Sequence, residues 1–381
     1  MSWKVALTDV TLGEEEAQAA ADVVRSGWLS QGEGVARFET EFAAFTGAAH
    51  AVAVTNCTIG LELAYEAAGV RPGDEVIVPA LTFVATANAA RRLGATAVFA
   101  DVTSPDDLCV DAADVAAKLS PRTRAVVAVH FAGWAADVTA LRGALDAAGR
   151  GDVVIVEDCA HAPGATYRDG DDRCGTRSAF GAFSFFSNKN MTTGEGGMVT
   201  TGDAGRDRLL RALRAHGMTT TTWDRHRGHA FSYDVARVAT NGRLDEVRAA
   251  IGRVQLRKLP DANRRRGEAR GHYLTALAGV PGVDVPFSKG AYGVGAQHLL
   301  VVLLPEGTDR EGVMGAMRAD GVQTSVHYPP THRFTAYSEP RVELPVTDAI
   351  TARLLTLPLA PTTTAATVDV VVGALRRALG V

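Results

Sequence analysis

Seven short apolar runs constrain this chain more than any other feature: Ala51–Val54, Glu75–Val78, Ala97–Ala100, Ala125–Val129, Val153–Val156, Ala182–Phe185 and Gly197–Thr200. They are continuous rather than alternating, as strands covered on both faces should be. The stretches between several of them have helical length. Buried strands that alternate with helices pack as a largely parallel, doubly wound sheet with helices on both sides. The spacing therefore predicts an α/β fold around a mostly parallel seven-stranded sheet.

Ahead of the sheet, Glu14 to Ser26 has helical composition and Gly27 ends it. A second helix carries Phe38, Phe42 and Phe45 on one face and closes at Gly47. After the last run the pattern changes. Thr219 to Tyr233 is polar and reads as a long surface loop or lid, with the basic segment Trp223 to His229 at its centre. A long helix is expected from about Leu244 to Arg270, interrupted near Pro260, which has no N–H to give. Beyond it, Gln297–Leu304, Thr308–Asp320 and Val322–Tyr328 read as strand, helix, strand. The expected division is a large α/β domain over residues 1–250 and a small C-terminal α+β domain over 251–381.

Hydrophobic residues make up 46% of the 381 and charged residues 22%, ample for a sizeable core. A formal net charge of −4 gives no electrostatic pull toward nucleic acid or an anionic membrane. Cys57, Cys109, Cys159 and Cys174 show neither a CxxC pair nor zinc spacing, so reduced thiols and no metal site are expected. The N-terminus lacks the apolar core of a secretory signal, and the apolar runs fall well short of the ~20 residues that cross a bilayer. A cytoplasmic protein is expected.

Ligands of open α/β sheets bind beyond the carboxyl ends of the strands. There, Phe183-Ser184-Phe185-Phe186-Ser187-Asn188-Lys189 delivers a lysine, and Thr193-Gly194-Glu195-Gly196-Gly197 follows. A desolvated lysine loses its charge and becomes an amine nucleophile toward an aldehyde. Ser184 and Ser187 can donate to a phosphate. The plain alternative is a loop lysine between two strands. Asp158 follows a buried strand, where a carboxylate can keep a pyridine nitrogen protonated. His161 falls on the same side if a helical turn begins there. A helix N-cap and a satisfied core histidine are their alternatives. Thr55-Asn56-Cys57-Thr58 joins a strand to a helix start, which suits an anion and ordinary capping equally. Phe83 puts a ring at a strand end, where it can stack on a flat cofactor or belong to the core.

Taken together and in this order, these segments resemble the DegT/StrS-type sugar aminotransferases, pyridoxal-phosphate (PLP) enzymes of fold type I. The resemblance covers nearly the whole chain. It rests on Phe38-Glu39-x-Glu41-Phe42, Gly73-Asp74-Glu75-Val76-Ile77-Val78-Pro79, Glu157-Asp158-x-Ala160-His161, Asn188-Lys189 with Thr193-Gly194-Glu195-Gly196-Gly197, His216-Gly217, Asn241-x-Arg243 and His327-Tyr328-Pro329-Pro330. It implies PLP carried as a Schiff base on Lys189, with pyridoxamine phosphate (PMP) as its aminated form. It further implies Asp158 on the pyridine nitrogen and His161 near the ring hydroxyl, these three being the catalytic set. Thr58 and Ser184 are implied phosphate contacts, with Cys57 beside them, and Phe83 stacks on the ring. Asn241 is implied to reach the phosphate of the neighbouring subunit, in a homodimer with shared active sites. Glu195, His327 and Tyr328 are implied near the substrate.

The reaction implied by the resemblance moves an amino group from L-glutamate or L-glutamine to a keto sugar, a nucleotide-linked 4-keto or 3-keto hexose. A cell-envelope glycan or a secondary metabolite such as an antibiotic would use the product. A cyclitol or another non-nucleotide ketone is the alternative acceptor. Dehydratase relatives carry histidine in place of the lysine, so Lys189 argues against that chemistry. A non-catalytic sensor or scaffold has no use for Lys189, Asp158 and His161 together. Two departures stand out. Ala239-Thr240-Asn241-Gly242-Arg243 lacks the tyrosines usual in the family, and the bulky Trp134 is expected to reshape the substrate pocket. The Trp223–His229 segment is either a solvated loop or a charged lid over a nucleotide diphosphate.

Overall fold

All seven apolar runs form strands of one sheet. The structure, a computed structural model, describes residues 3–220, 222–226, 228, 232–338 and 341–381. The strands are β1 (His50–Val54), β2 (Glu75–Pro79), β3 (Thr96–Ala100), β4 (Thr123–Val129), β5 (Val154–Asp158), β6 (Phe180–Ser184) and β7 (Gly197–Thr201). Their order is β1-β7-β6-β5-β4-β2-β3. Neighbours from β3 to β6 pair in parallel, whereas β7 is antiparallel to both β6 and β1. Successive side chains of a strand point to opposite faces. Ala53, Val126 and Phe183 accordingly enter one core while Val54, Val127 and Ala182 enter another. Burial on both faces is why the runs are continuous rather than alternating.

The first two helices are Glu14–Ser26 and Glu33–Thr46. Each ends at a glycine in the left-handed region, Gly27 at φ 77° and Gly47 at φ 83°, where a side chain would cost most. Phe42 packs its ring 5.0 Å from Phe183 and 5.5 Å from Phe185, which ties the second helix to the strand that leads to Lys189. On the same helix, Glu39 accepts from the Ala53 N–H at 2.9 Å and pairs with the buried Arg214 and with Arg211. Burial opposes ionisation of Glu39, but the two guanidiniums outweigh it and hold its carboxyl below the usual range.

The expected long helix runs from Glu246 to Leu277 without a break. Pro260 lies inside it with its ring on the exposed side, and the helix continues although the Leu256 carbonyl loses its N–H partner. The helix packs on Glu14–Ser26 and Glu33–Thr46, and that packing carries it through the proline.

A second, two-stranded sheet pairs β8 (Leu300–Leu303) with β9 (Leu354–Leu357) in antiparallel fashion. Helices Arg310–Ala319 and Ala365–Leu379 contribute to a third core around it. The expected strand Val322–Tyr328 does not form. Val322 bridges to Val5 and Ser325 to Thr356, so two different neighbours divide the segment and no run of consecutive pairs develops. The partner of β8 is instead β9, which the sequence reading did not place.

Part of the polar stretch forms a short helix, Thr222–His226, rather than an open loop. Trp223 and His226 place their rings 4.7 and 4.5 Å from that of Trp28. Arg227 and His229 of the proposed lid lie outside the described residues. Among the described residues, no helix is long and apolar enough to cross a membrane.

Candidate active site

The segments that follow β1, β2, β5 and β6 line one cavity of about 470 Å³. Beyond β1, Asn56 caps the helix Cys57–Ala67 by accepting from the Ile59 N–H at 2.9 Å. Capping of the third turn position leaves the N–H groups of Cys57 and Thr58 as donors for an anion. Both residues line the cavity, as does Ser184 at the end of β6. Capping by Asn56 thus leaves these N–H groups open to an anion. Ser187, the other candidate phosphate donor, is not on the cavity wall. Burial pushes the Cys57 thiol well up, so it stays protonated.

Asp158 ends β5 and is 6% exposed. Its Oδ1 accepts from the Ala160 N–H at 3.1 Å and its Oδ2 from the Thr86 hydroxyl at 2.8 Å. Thr86 in turn shares a hydrogen bond with Thr82 at 2.9 Å. Burial raises the carboxyl above its usual range, against the pull of Thr86, Ala160 and Lys189. The sequence reading missed Thr86. Its only sequence signal is a second threonine one helical turn after Thr82.

Lys189 follows a short turn after β6 and reaches the same cavity. Burial lowers its ammonium to about 8, while Asp158 and Cys57 act in the opposite direction. The ammonium still predominates near physiological pH, but a far larger fraction than in a free lysine is neutral, the form a nucleophile requires. The loop is held by Asn190, whose amide donates to Ala296 O at 2.6 Å and to Asn263 at 2.8 Å. Asn190 was not singled out from the sequence.

His161 sits on a turn after Asp158 and is buried. Its Nδ1 accepts from the Ala132 N–H at 3.3 Å, and its Nε2 meets the Tyr328 hydroxyl at 2.9 Å. Burial, Lys189 and His327 keep this imidazole neutral. The turn itself is anchored one residue upstream of Asp158. Glu157 there accepts from His130 at 2.7 Å, Tyr167 at 2.5 Å and the Gly175 N–H at 2.9 Å. His130, Glu157 and Cys159 lie close enough to suggest a metal set, but these bonds already occupy the first two.

Phe83, Glu195, His327 and Tyr328 complete the wall. Phe83 is 56% exposed, with its ring 5.7 Å from that of Tyr328. Asn241 is exposed and is not on this wall, so one chain alone does not bring it to the others. Trp134 does not line the cavity either. It is buried, stacked on Phe287 at 5.6 Å under the guanidinium of Arg270, and its bulk serves packing rather than the substrate pocket.

These donors suit PLP. N–H and hydroxyl groups at a helix start can take its phosphate, a buried carboxylate its ring nitrogen, and a lysine poised near neutrality its aldehyde.

Comparison with known proteins agrees. A family model described as the DegT/DnrJ/EryC1/StrS aminotransferase family matches residues 10–376. The spore coat polysaccharide biosynthesis protein SpsC of Bacillus subtilis (strain 168) is 39% identical over 374 residues, covering 96% of this chain and 94% of SpsC. The crystal structure of DesV from S. venezuelae, in complex with a ketimine intermediate, aligns with a TM-score of 0.89 at 35% identity, over 99% of this chain and 98% of DesV. DesI, solved in the presence of its TDP-sugar product, aligns with a TM-score of 0.88 at 32% identity, over 99% of this chain and 93% of DesI. Enzymes of this family use PLP. The chain belongs to the DegT/DnrJ/EryC1/StrS aminotransferase family and is a PLP-dependent sugar aminotransferase of fold type I.

Proposed function

We propose that this enzyme transfers an amino group from L-glutamate or L-glutamine to a nucleotide-linked keto hexose, oxidised at C4 or C3. The observation that carries the site assignment is the meeting of Lys189, Asp158 and the first turn of Cys57–Ala67 in one cavity. Bound PLP supplies an electrophilic carbon and a ring that takes up negative charge. Lys189 would hold it through its amine and, when free, would accept the proton from the donor's Cα on Nζ. Asp158 would keep the ring nitrogen protonated, and the Thr86 hydrogen bond aims Asp158 and favours its ionised form against the effect of burial. Thr58, the Cys57 N–H and Ser184 would hold the phosphate, and Phe83 would offer its ring to the flat cofactor. Glu195, His327 and Tyr328 are left to meet the substrates.

The exposed Asn241 fits a homodimer in which each chain completes its partner's phosphate site. The nucleotide-linked acceptor is supported by the TDP-sugar product named for DesI. The polysaccharide role named for SpsC supports a glycan as the destination of the amino sugar, with secondary metabolism as the other. We place the enzyme in the cytoplasm, with residues 1–250 as the PLP-binding domain and 251–381 as the smaller one.

The test is an absorbance spectrum of the protein with PLP, before and after L-glutamate. A yellow band that bleaches supports Lys189 loading and the donor. Restoration of the band by one member of a panel of nucleotide keto sugars identifies the acceptor. Restoration by a cyclitol ketone alone would replace the acceptor assignment, and no band at all would refute the site.

A further inference from the structure

Both nitrogens of His161 are committed within the protein. The Ala132 N–H donates to Nδ1 at 3.3 Å, so that nitrogen carries a lone pair and the ring proton sits on Nε2. Nε2 faces the Tyr328 hydroxyl at 2.9 Å. The imidazole is then the donor and the phenol oxygen the acceptor. The hydrogen of the phenol is left over, and among the described residues no other acceptor meets the Tyr328 hydroxyl. Tyr328 and His161 both line the cavity.

The other face of His161 is held just as firmly. His298 lies against it with ring centroids 4.4 Å apart. Pro163 O can only accept, so Asn263 presents its Nδ2 there at 2.9 Å and its Oδ1 to Asn190. Asn190 therefore turns its Nδ2 to Asn263 and Ala296 and its Oδ1 to His298 Nδ1, at 2.8 Å. His298 must donate to that oxygen. It supports the plane of His161 without offering it a proton.

We propose that Tyr328, oriented by a neutral His161 in the Nε2–H form, donates a hydrogen bond to an anionic oxygen inside the cavity. His161 is then a positioning residue that acts through Tyr328. The oxygen belongs either to the ring of the cofactor or to a substrate. The proposal rests on the cavity being the PLP site. The surroundings agree with it. Burial and Asp158 hold the phenol well above its ordinary value, so it keeps its proton. Lys189, His298 and His327 are the other titratable groups facing this pair, and none of them adds negative charge to draw a second proton onto His161.

Neutron diffraction from deuterium-exchanged holoenzyme crystals reads the tautomer directly. The expected result is deuterium on His161 Nε2 and on the Tyr328 hydroxyl, the latter aimed into the cavity. Deuterium on Nδ1, or on both nitrogens, overturns the proposal. Three variants give the functional side. Y328F and H161L each lower kcat/KM by about tenfold or more, and H161Q, which keeps a donor near the Nε2 position, recovers part of that loss. If the oxygen is the cofactor's, the pH midpoint of the resting absorbance band moves in Y328F with no substrate present. If it is a substrate's, the band titrates as in the unaltered enzyme and KM for that substrate rises. A Y328F enzyme unchanged in both band and kinetics overturns the proposal. Failure of the PLP assignment looks different: the unaltered protein then forms no band with PLP, and borohydride traps nothing on Lys189.

Discussion

The hydroxyl of Thr86 donates to Asp158 Oδ2 at 2.8 Å, across 72 residues of sequence. Thr86→Val keeps the shape and removes the donor. The bond favours the ionised carboxylate, so its loss raises a pKa that burial has already raised. We expect kcat/KM to fall about ten- to hundredfold, the worth of a hydrogen bond to a charged group. The acid limb of the pH–rate profile should also move to higher pH. Steady-state kinetics across pH, with a PLP titration of the apoenzyme, check both.

Lys189 titrates near 8 because burial disfavours its charge. The neutral amine is the nucleophile, so PLP loading onto apoenzyme should accelerate as pH rises through about 8 and then level off. The folded value lies below the free value of 10.5, so between the two the unfolded chain binds more protons. Through this group, apoenzyme stability should therefore rise with pH across that window. Stopped-flow loading and denaturant titration of the apoenzyme are the measurements.

Glu39 ties the second helix to β1 through Ala53, Arg214 and Arg211. Glu39→Gln leaves Arg214 buried with its charge uncompensated and should destabilise the protein by about 3–5 kcal/mol. In the unaltered protein the folded carboxyl titrates below its free value of 4.5. Its stabilisation is thus complete above that value and fades as pH falls through the folded one. Urea denaturation of both proteins over an acid series tests the sign.

In the proposed homodimer with shared sites, two defects should be complementary. Lys189→Ala and Asn241→Asp homodimers should each be inactive. Mixed dimers hold one site with an intact lysine from one chain and an intact asparagine from the other. An equal mixture refolded together should recover about a quarter of the unaltered activity, since half of the dimers are mixed and each has one good site. No recovery would place Asn241 outside the partner's site.

Pro260 interrupts the hydrogen bonds of Glu246–Leu277 without ending the helix. Pro260→Ala restores an N–H to the Leu256 carbonyl and should stabilise the protein by about 1–3 kcal/mol, less what the freer unfolded chain takes back. Thermal denaturation of the apoenzyme measures the gain, and an unchanged or lower Tm would show that the helix relies on its packing alone.

The residues by themselves determined the strands of the sheet and named Lys189, Asp158, His161 and other residues of the cavity wall. Strands covered on both faces must be apolar without interruption, so all seven were legible as runs, and the chemistry-bearing loops sit at their ends because the backbone leaves the sheet there. Gly27 and Gly47 marked helix ends because few other residues adopt the left-handed turn. Tertiary structure decided the rest. The continuity of the helix through Pro260 depends on two other helices packed against it. The absence of a strand at Val322–Tyr328 depends on Val5 and Thr356 competing for it from far ends of the chain. Trp134 was visible as bulk, yet only Phe287 and Arg270 direct that bulk away from the cavity. Asp158, His161 and Tyr328 could be named from sequence, but not the Thr86 hydroxyl or the Ala132 N–H that set their protonation. A hydrogen bond is fixed by distance and direction in space, and a linear sequence carries neither.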